Sequence, residues 1–288
     1  MNISFRDNEV EITGFSDFDL AKTFECGQCF RWNTDENGDY IGVAHGQAAR
    51  LRSRGDSIII SCPAEDYKAV WHDYFDLDRD YSAIRSQLCI DEFMQQATDF
   101  GAGIRILKQN KWEALCSFII SQNNNIPRIK SIVNKLCSMF GNSIDFEGTL
   151  YYTFPSADRL AMFSAENLAD LRCGYRAEYI IRTAKAVADG AIDLDELSLS
   201  TPDAARAALK RLHGVGDKVA DCVLLFGLHM LDAFPVDVWM KRAVANHFDT
   251  SFDPAIFTPH AGIAQQYIFH YIRNGSTSAI EEGVSMAP

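Results

Sequence analysis

No part of this 288-residue sequence approaches the roughly 18 consecutive apolar residues that a membrane-spanning helix needs. Its opening, MNISFRDNEVEITGF, is charged and has no apolar signal-peptide core. Neither a membrane partner nor a targeting signal is therefore expected, and the sequence reads as cytoplasmic. The eight cysteines lack the spacing of a small disulfide framework and suit free thiols in a reducing compartment. Cys26 and Cys29 form a lone C-x-x-C, placed by pattern on a strand. No second pair stands at zinc-finger spacing, so no metal and no cofactor is expected. Internal repeats and low-complexity linkers are missing as well. So is an excess of positive charge: the net charge is −12, which on its face disfavours a nucleic-acid partner.

The distribution of charge points the other way. Residues 1–100 hold 19 acids and 9 bases, whereas 101–288 hold 20 and 18. Between 101 and 140, Arg105, Lys108, Lys111, Arg128, Lys130 and Lys135 face the single acid Glu113. An anionic partner can be met there while the acidic half turns away. Pattern divides the chain at the same place. Up to about residue 85, short β-rich runs such as CFRW, NGDYIGVAH and ARLRSRGDSIIISC alternate with turns. Asn37-Gly38 and Arg54-Gly55-Asp56 are hairpin signals. From about 103 onward, KWEALCSFIISQ, IPRIKSIVNKLCSMF, RAEYIIRTAKAVADG, DKVADCVLLFGL and AGIAQQYIFHYIRN carry apolar residues at three- and four-residue spacing. The class is α+β: an antiparallel β-rich N-terminal domain, residues 1–100, followed by an all-helical region, 101–288.

Within the helical half, LKRLHGVGDKVADC has the form helix, glycine turn, helix. The first helix is expected to end near Leu212. Gly214 and Gly216 permit positive φ and expose backbone N–H groups. Asp217 is expected to N-cap a helix starting at Lys218. Such an element can grip a phosphate through amides at a helix N-terminus, although a purely structural turn fits G-x-G equally well. A lysine at that terminus is unusual. The positive end of the helix dipole disfavours an ammonium, and the apolar neighbours Val219, Ala220, Val223 and Leu224 push the same way, toward a nucleophilic amine.

Asp237, in FPVDVW, is within reach of that amine. The helix after Lys218 covers about 17 Å by length. The eight residues Met230 to Asp237 can return about 26 Å if extended. Asp237 either caps the following helix VWMKRAV or faces Lys218, or does both. An amine and a carboxylate beside a phosphate grip suit attack on a sugar anomeric carbon, with the carboxylate stabilising oxocarbenium-like charge.

The order of hairpin, VGDKVADC and FPVD resembles the helix-hairpin-helix DNA glycosylase superfamily. GQCFRW, SFIISQNNNIPRI, GYRAEYI and AGIAQQYIF extend the resemblance over nearly the whole chain and make it specific to the 8-oxoguanine DNA glycosylase family. The resemblance implies a bifunctional base-excision-repair enzyme that removes 8-oxoguanine through a lysine Schiff base and cleaves the abasic site by β-elimination. Its partner would be double-stranded DNA containing 8-oxoguanine, met by a monomer associated with the nucleoid. Lys218 would be the nucleophile and Asp237 its carboxylate. Gly27 would accept the N7 hydrogen of the lesion, Gln265 would read its Watson–Crick edge, Phe269 would stack on it, and Cys222 would cover the other face. Asn123, Arg128 and Arg176 would meet the cytosine left behind, with Tyr175 as the wedge and Gly214 and Gly216 at the phosphate. Lys218 and Cys222 are four apart on one helix face, as are Gln265 and Phe269.

Two departures from the family pattern stand out: His213 where many hairpins have proline, and Trp239 where some members have histidine. No cysteine follows Cys222, so the four-cysteine iron–sulfur loop of related oxidised-pyrimidine glycosylases is absent. An alkylpurine glycosylase would use the aspartate without Lys218. A non-catalytic DNA-binding module would need neither residue.

Overall fold

In the computed structural model, which describes residues 1–14 and 17–281 and side chains as far as 275, the N-terminal part is a six-stranded sheet. Its strands are β1 (Asn2–Arg6), β2 (Glu9–Thr13), β3 (Asn33–Thr34), β4 (Tyr40–Ala44), β5 (Gln47–Arg54) and β6 (Ser57–Ser61). All pairings are antiparallel, in the order β1-β2-β6-β5-β4-β3. The turn chemistry sets the register. Asp35 accepts from the backbone N–H groups of Asn37 and Asp39, and Gly38 takes φ +83°, turning β3 into β4. Gly55, at φ +62°, turns β5 into β6. Val10, Ile60 and Leu51 then fall side by side across three strands and are fully buried. Trp32 stacks on Phe24 at 4.4 Å and covers Gly42, where an added Cβ would lie 2.4 Å from the indole.

The principal helices are α1 (Leu20–Glu25), α2 (Tyr81–Leu88), α3 (Glu92–Phe100), α4 (Lys111–Ser121), α5 (Ile126–Phe140), α6 (Arg176–Ala188), α7 (Pro202–Leu209), α8 (Asp217–Phe226), α9 (Val238–His247) and α10 (Ala261–Glu281). Leu115 and Ile119 of α4, Val223 and Leu224 of α8 and Ile268 of α10 meet in one buried cluster, which also takes in Tyr81, Ile84 and Met94. Arg105 joins the two layers. Its fully buried guanidinium donates to the carbonyls of Phe75, Asp17 and Arg79 and lies 4.1 Å from the Tyr81 ring.

The helical half also contains a β-hairpin that helical periodicity does not reveal, β7 (Ser143–Phe146) with β8 (Thr149–Tyr152). Glu147 and Gly148 both take positive φ, as a two-residue hairpin turn requires. Glu147 pairs with Arg50 at 2.8 Å, docking the hairpin on β5. Cys26 and Cys29 do not lie on a strand: Cys26 caps the end of α1 and Cys29 follows in a loop.

Candidate active site and nucleic-acid interface

The glycine turn differs from its expected form in a way that matters for the site. Helix α7 ends at Leu209, and α8 starts at Asp217 with Gly216 as its N-cap. Asp217 is therefore not the cap. It is already inside the first turn, where its carboxylate pairs with Lys210 at 2.5 Å, and that lysine lowers its pKa. Only Gly214 uses positive φ, at +83°, and a Cβ there would stand 2.2 Å from the Tyr179 ring. His213, in the place of proline, packs edge-on against the same ring at 4.9 Å. Gly216 is extended, and nothing lies within 4 Å of where its Cβ would be. The turn thus presents an open amide-bearing helix start.

Lys218 occupies the first turn of α8, partly exposed. Its ammonium is 3.3 Å from the Ser121 hydroxyl and 5.4 Å from the centroid of the Phe118 ring, both on α4. Cys222 follows one turn later, buried; burial raises its pKa, with Lys218 opposing. The chain then returns through Phe234 and Pro235. Asp237 caps α9, its carboxylate accepting from the Met240 N–H at 2.9 Å. Lys218 and Asp237 line one narrow cleft of about 50 Å³ together with Gly27, Cys222, Gln265 and Phe269. That cleft gathers residues from α8, α10, the N-cap of α9 and the loop after α1, and Gly27 and Phe269 in it lie 242 positions apart.

Gly27 takes φ +88°, and its neighbours are clamped on both sides. The Cys26 carbonyl accepts from Gln266 at 2.8 Å. The fully buried Gln28 side chain donates to Thr23 and Arg105 carbonyls and accepts from the Leu107 N–H. Gln28 and Gln266 are functional supports that sequence reasoning passed over. The only signal was a polar residue beside each named one, in GQ and QQ. Gln265 itself is 5% exposed, and its side-chain oxygen has no hydrogen-bond partner among the described residues. A buried acceptor without a donor is costly, and an N–H donor brought into the cleft would satisfy it. Burial pushes the Cys26 thiol up to about 12 and holds Cys29 well above its ordinary value, so neither is a nucleophile at neutral pH.

A second constellation sits at the end of α4 and the start of α6. Asn123, at φ +50°, donates to the Tyr175 hydroxyl at 3.3 Å, and Tyr175 is half exposed. Arg128 donates to the Arg172 carbonyl at 3.0 Å, and its own N–H is capped by Asn125. Arg176 is turned inward. It is 6% exposed, donates to the Gln122 and Cys173 carbonyls, and lies 4.4 Å from the Tyr175 ring. The basic stretch from 101 to 140 also offers fewer free cations than its composition implies. Arg105 is buried, Lys108 and Lys111 pair with Asp73 and Asp195, and Lys130 and Lys135 donate to the Trp32 and Asp170 carbonyls. Trp239, two residues past Asp237, is 40% exposed, with Arg242 5.5 Å from its ring.

A helix-hairpin-helix element beside a cleft lined by a lysine and a helix-capping aspartate is the arrangement that the resemblance to base-excision glycosylases implies. Two family patterns cover most of the chain: the 8-oxoguanine DNA glycosylase N-terminal domain over residues 12–115, and the HhH-GPD superfamily of base excision DNA repair proteins over 116–254. The N-glycosylase/DNA lyase of Saccharomyces cerevisiae is 37% identical over 262 residues, 82% of this chain and 70% of the relative. An 8-oxoguanine glycosylase/lyase of Clostridium acetobutylicum, solved with double-stranded DNA carrying cytosine opposite 8-oxoG, is 35% identical. Its TM-score is 0.90, covering 96% of this chain and 99% of that one. A structure described as MBOgg1 with a low-affinity DNA ligand is 43% identical, with the same TM-score and coverage. The chain belongs to the 8-oxoguanine DNA glycosylase family.

Proposed function

We propose that this DNA N-glycosylase and lyase of base excision repair excises 8-oxoguanine from duplex DNA, preferentially opposite cytosine, using Lys218 as nucleophile. The Lys218 amine adds to the anomeric carbon while the bond to the base nitrogen breaks and the base leaves with a proton. Asp237 stabilises the positive charge that develops on the sugar. Ring opening gives an imine to Lys218. Loss of a C2′ proton then expels the 3′ phosphate by β-elimination, and water hydrolyses the imine to free the lysine. The Gly27 carbonyl takes the N7 hydrogen that guanine lacks, Phe269 and Cys222 sandwich the base, and the Gln265 oxygen accepts from its Watson–Crick edge.

The observation that carries this reading is the convergence of Lys218, Asp237 and the unpartnered Gln265 oxygen on one cleft. Opposite-base preference follows from Arg128 and Arg176, aided by Asn123. The other side-chain donors of Arg128 are free of hydrogen bonds among the described residues, and Arg176 acts once it exchanges the Gln122 and Cys173 carbonyls for the base. Arginine offers only donors, which suit the O2 and N3 acceptors of cytosine and oppose the amino group of adenine. A mispaired donor in a desolvated site costs about 1–3 kcal/mol, roughly a 5- to 150-fold difference in rate. Single-turnover release of 8-oxoguanine opposite each of the four bases tests the proposal. Release should be fastest opposite cytosine, and Arg128→Ala should flatten the order. Equal rates in the wild type would remove the opposite-base assignment, and no release would remove the lesion assignment.

A further inference from the structure

Arg273 projects from the stripe of α10 that carries the lesion-facing residues, four positions beyond Phe269 and eight beyond Gln265. Its guanidinium carbon stands 6.0 Å from the Phe269 ring centroid. One terminal nitrogen, Nη1, is 3.9 Å from where a side chain on Gly27 would begin. Arg273 is partly buried, yet among the described residues it has no ion pair and no hydrogen bond. Arg128 and Arg176, by contrast, are held by backbone carbonyls.

The neighbourhood does not neutralise this cation. Burial pushes the Cys26 thiol up to about 12, so it carries no charge. His270 is pushed down to about 4 by burial, with Lys22 and Arg273 itself adding, so it is neutral as well. The acids on this side are engaged elsewhere: Asp19 caps α1 at the Lys22 N–H, and Glu25 accepts from the Tyr40 hydroxyl at 2.6 Å. A partly buried guanidinium without an acceptor among the described residues, beside the glycine at the cleft wall, is placed for an oxygen that arrives with the substrate.

Resting on the reading that the cleft receives 8-oxoguanine, we propose that Arg273 is a further substrate-contacting residue that donates to an oxygen of the flipped-out nucleotide beside Gly27. Besides O6, which guanine also carries, two such oxygens matter. One is O8, on the carbon next to the N7 whose hydrogen Gly27 accepts. The other is a non-bridging oxygen of the nucleotide's own phosphate. Donation to O8 adds to selectivity, because guanine carries only C–H at that position and would leave the donor unpaired.

The test measures binding to two duplexes in a Lys218→Gln background, with and without Arg273→Met, which keeps much of the side-chain body. One duplex carries 8-oxoguanine opposite cytosine and the other a tetrahydrofuran abasic analogue opposite cytosine. A loss of about tenfold, the low end for a charge-assisted hydrogen bond at a partly exposed site, on the 8-oxoguanine duplex alone assigns the contact to the base. The same loss failing to appear on a duplex with guanine opposite cytosine narrows it from O6 to O8. An equal loss on both assigns it to the phosphate, and Arg273→Lys should then recover most of it. Unchanged affinity for both duplexes, with melting temperature unchanged, overturns the inference. If Arg273→Met does not fold, Arg273→Gln, which also removes the charge, is compared with the parent on the same duplexes, and unchanged affinity there overturns the inference. Failure of the wild-type enzyme to release 8-oxoguanine would instead overturn the reading of the cleft, so the two failures are distinguishable.

Discussion

Asp237 has two duties that single substitutions separate. Its carboxylate caps α9 through the Met240 N–H, and it lines the cleft with Lys218. Asparagine caps helices as well as aspartate does. Asp237→Asn should therefore melt within a few tenths of a kcal/mol of wild type while single-turnover base release falls by orders of magnitude. Asp237→Ala should lose the cap as well, about 1 kcal/mol. An Asp237→Asn enzyme with wild-type release would reduce the residue to a cap. His270 supplies a pH signature at the same scale. Its pKa is about 4 in the fold, held down mainly by burial, against about 6.5 unfolded. Between those values the unfolded chain binds the extra proton, so stability rises with pH there and is lost as pH falls from about 6.5 toward 4. Thermal melting at pH 7 and pH 5 should show that loss, and His270→Gln should shrink it. A variant with the same pH slope as wild type would place the titrating group elsewhere.

At the scale of elements, the hairpin makes the sharpest distinction. Gly214 needs its positive φ and its closeness to Tyr179, so Gly214→Ala should destabilise the turn by about 1–3 kcal/mol. Gly216 has an ordinary extended backbone and open space before it. Gly216→Ala should leave the melting temperature in place and, if the open amides grip a phosphate, weaken binding to duplex DNA, since the methyl would stand in that open space. Titration of both variants against a duplex, alongside melting curves, checks the contrast; equal behaviour would mean the amides face no phosphate. The presence of this element was legible in HGVGDK, because glycine spacing and the following apolar helix are local signals. Its cap was not. Asp217 satisfies the N-cap preference as a residue type, yet Lys210, seven residues back, draws its carboxylate away. The Ser143–Tyr152 hairpin was missed for a related reason. Its turn pair, Glu147-Gly148, is weaker than Asn-Gly, and its docking partner Arg50 lies about a hundred residues away.

Across the whole molecule, Gly27, Lys218, Cys222, Asp237, Gln265 and Phe269 could be placed at one cleft because they sit in separate motifs that share an order. What supports them was not legible. Gln28 and Gln266 fix the backbone on either side of Gly27 through partners 77 and 240 positions away, and no local pattern carries such contacts. The basic stretch misled in the opposite direction. Six cations in forty residues suggested an electrostatic footprint, but most are engaged within the fold. With most cations of the 101–140 stretch engaged, and Arg211, Lys241 and Arg242 exposed without an ion pair among the described residues, binding should neutralise only a few phosphates and show a shallow salt dependence. Lesion-duplex affinity measured between about 50 and 200 mM salt should fall by no more than about a hundredfold, and a steeper fall would reveal further cationic contacts.

The central claim is that the Lys218 amine forms the covalent bond to the sugar. Borohydride reduction during reaction with an 8-oxoguanine duplex, followed by proteolysis and mass spectrometry of the trapped protein, tests it most directly. The account predicts that the added sugar mass sits on Lys218, and that Lys218→Gln binds the duplex but is not trapped. A trapped Lys218→Gln enzyme, or a wild-type adduct on any other amine, would contradict it.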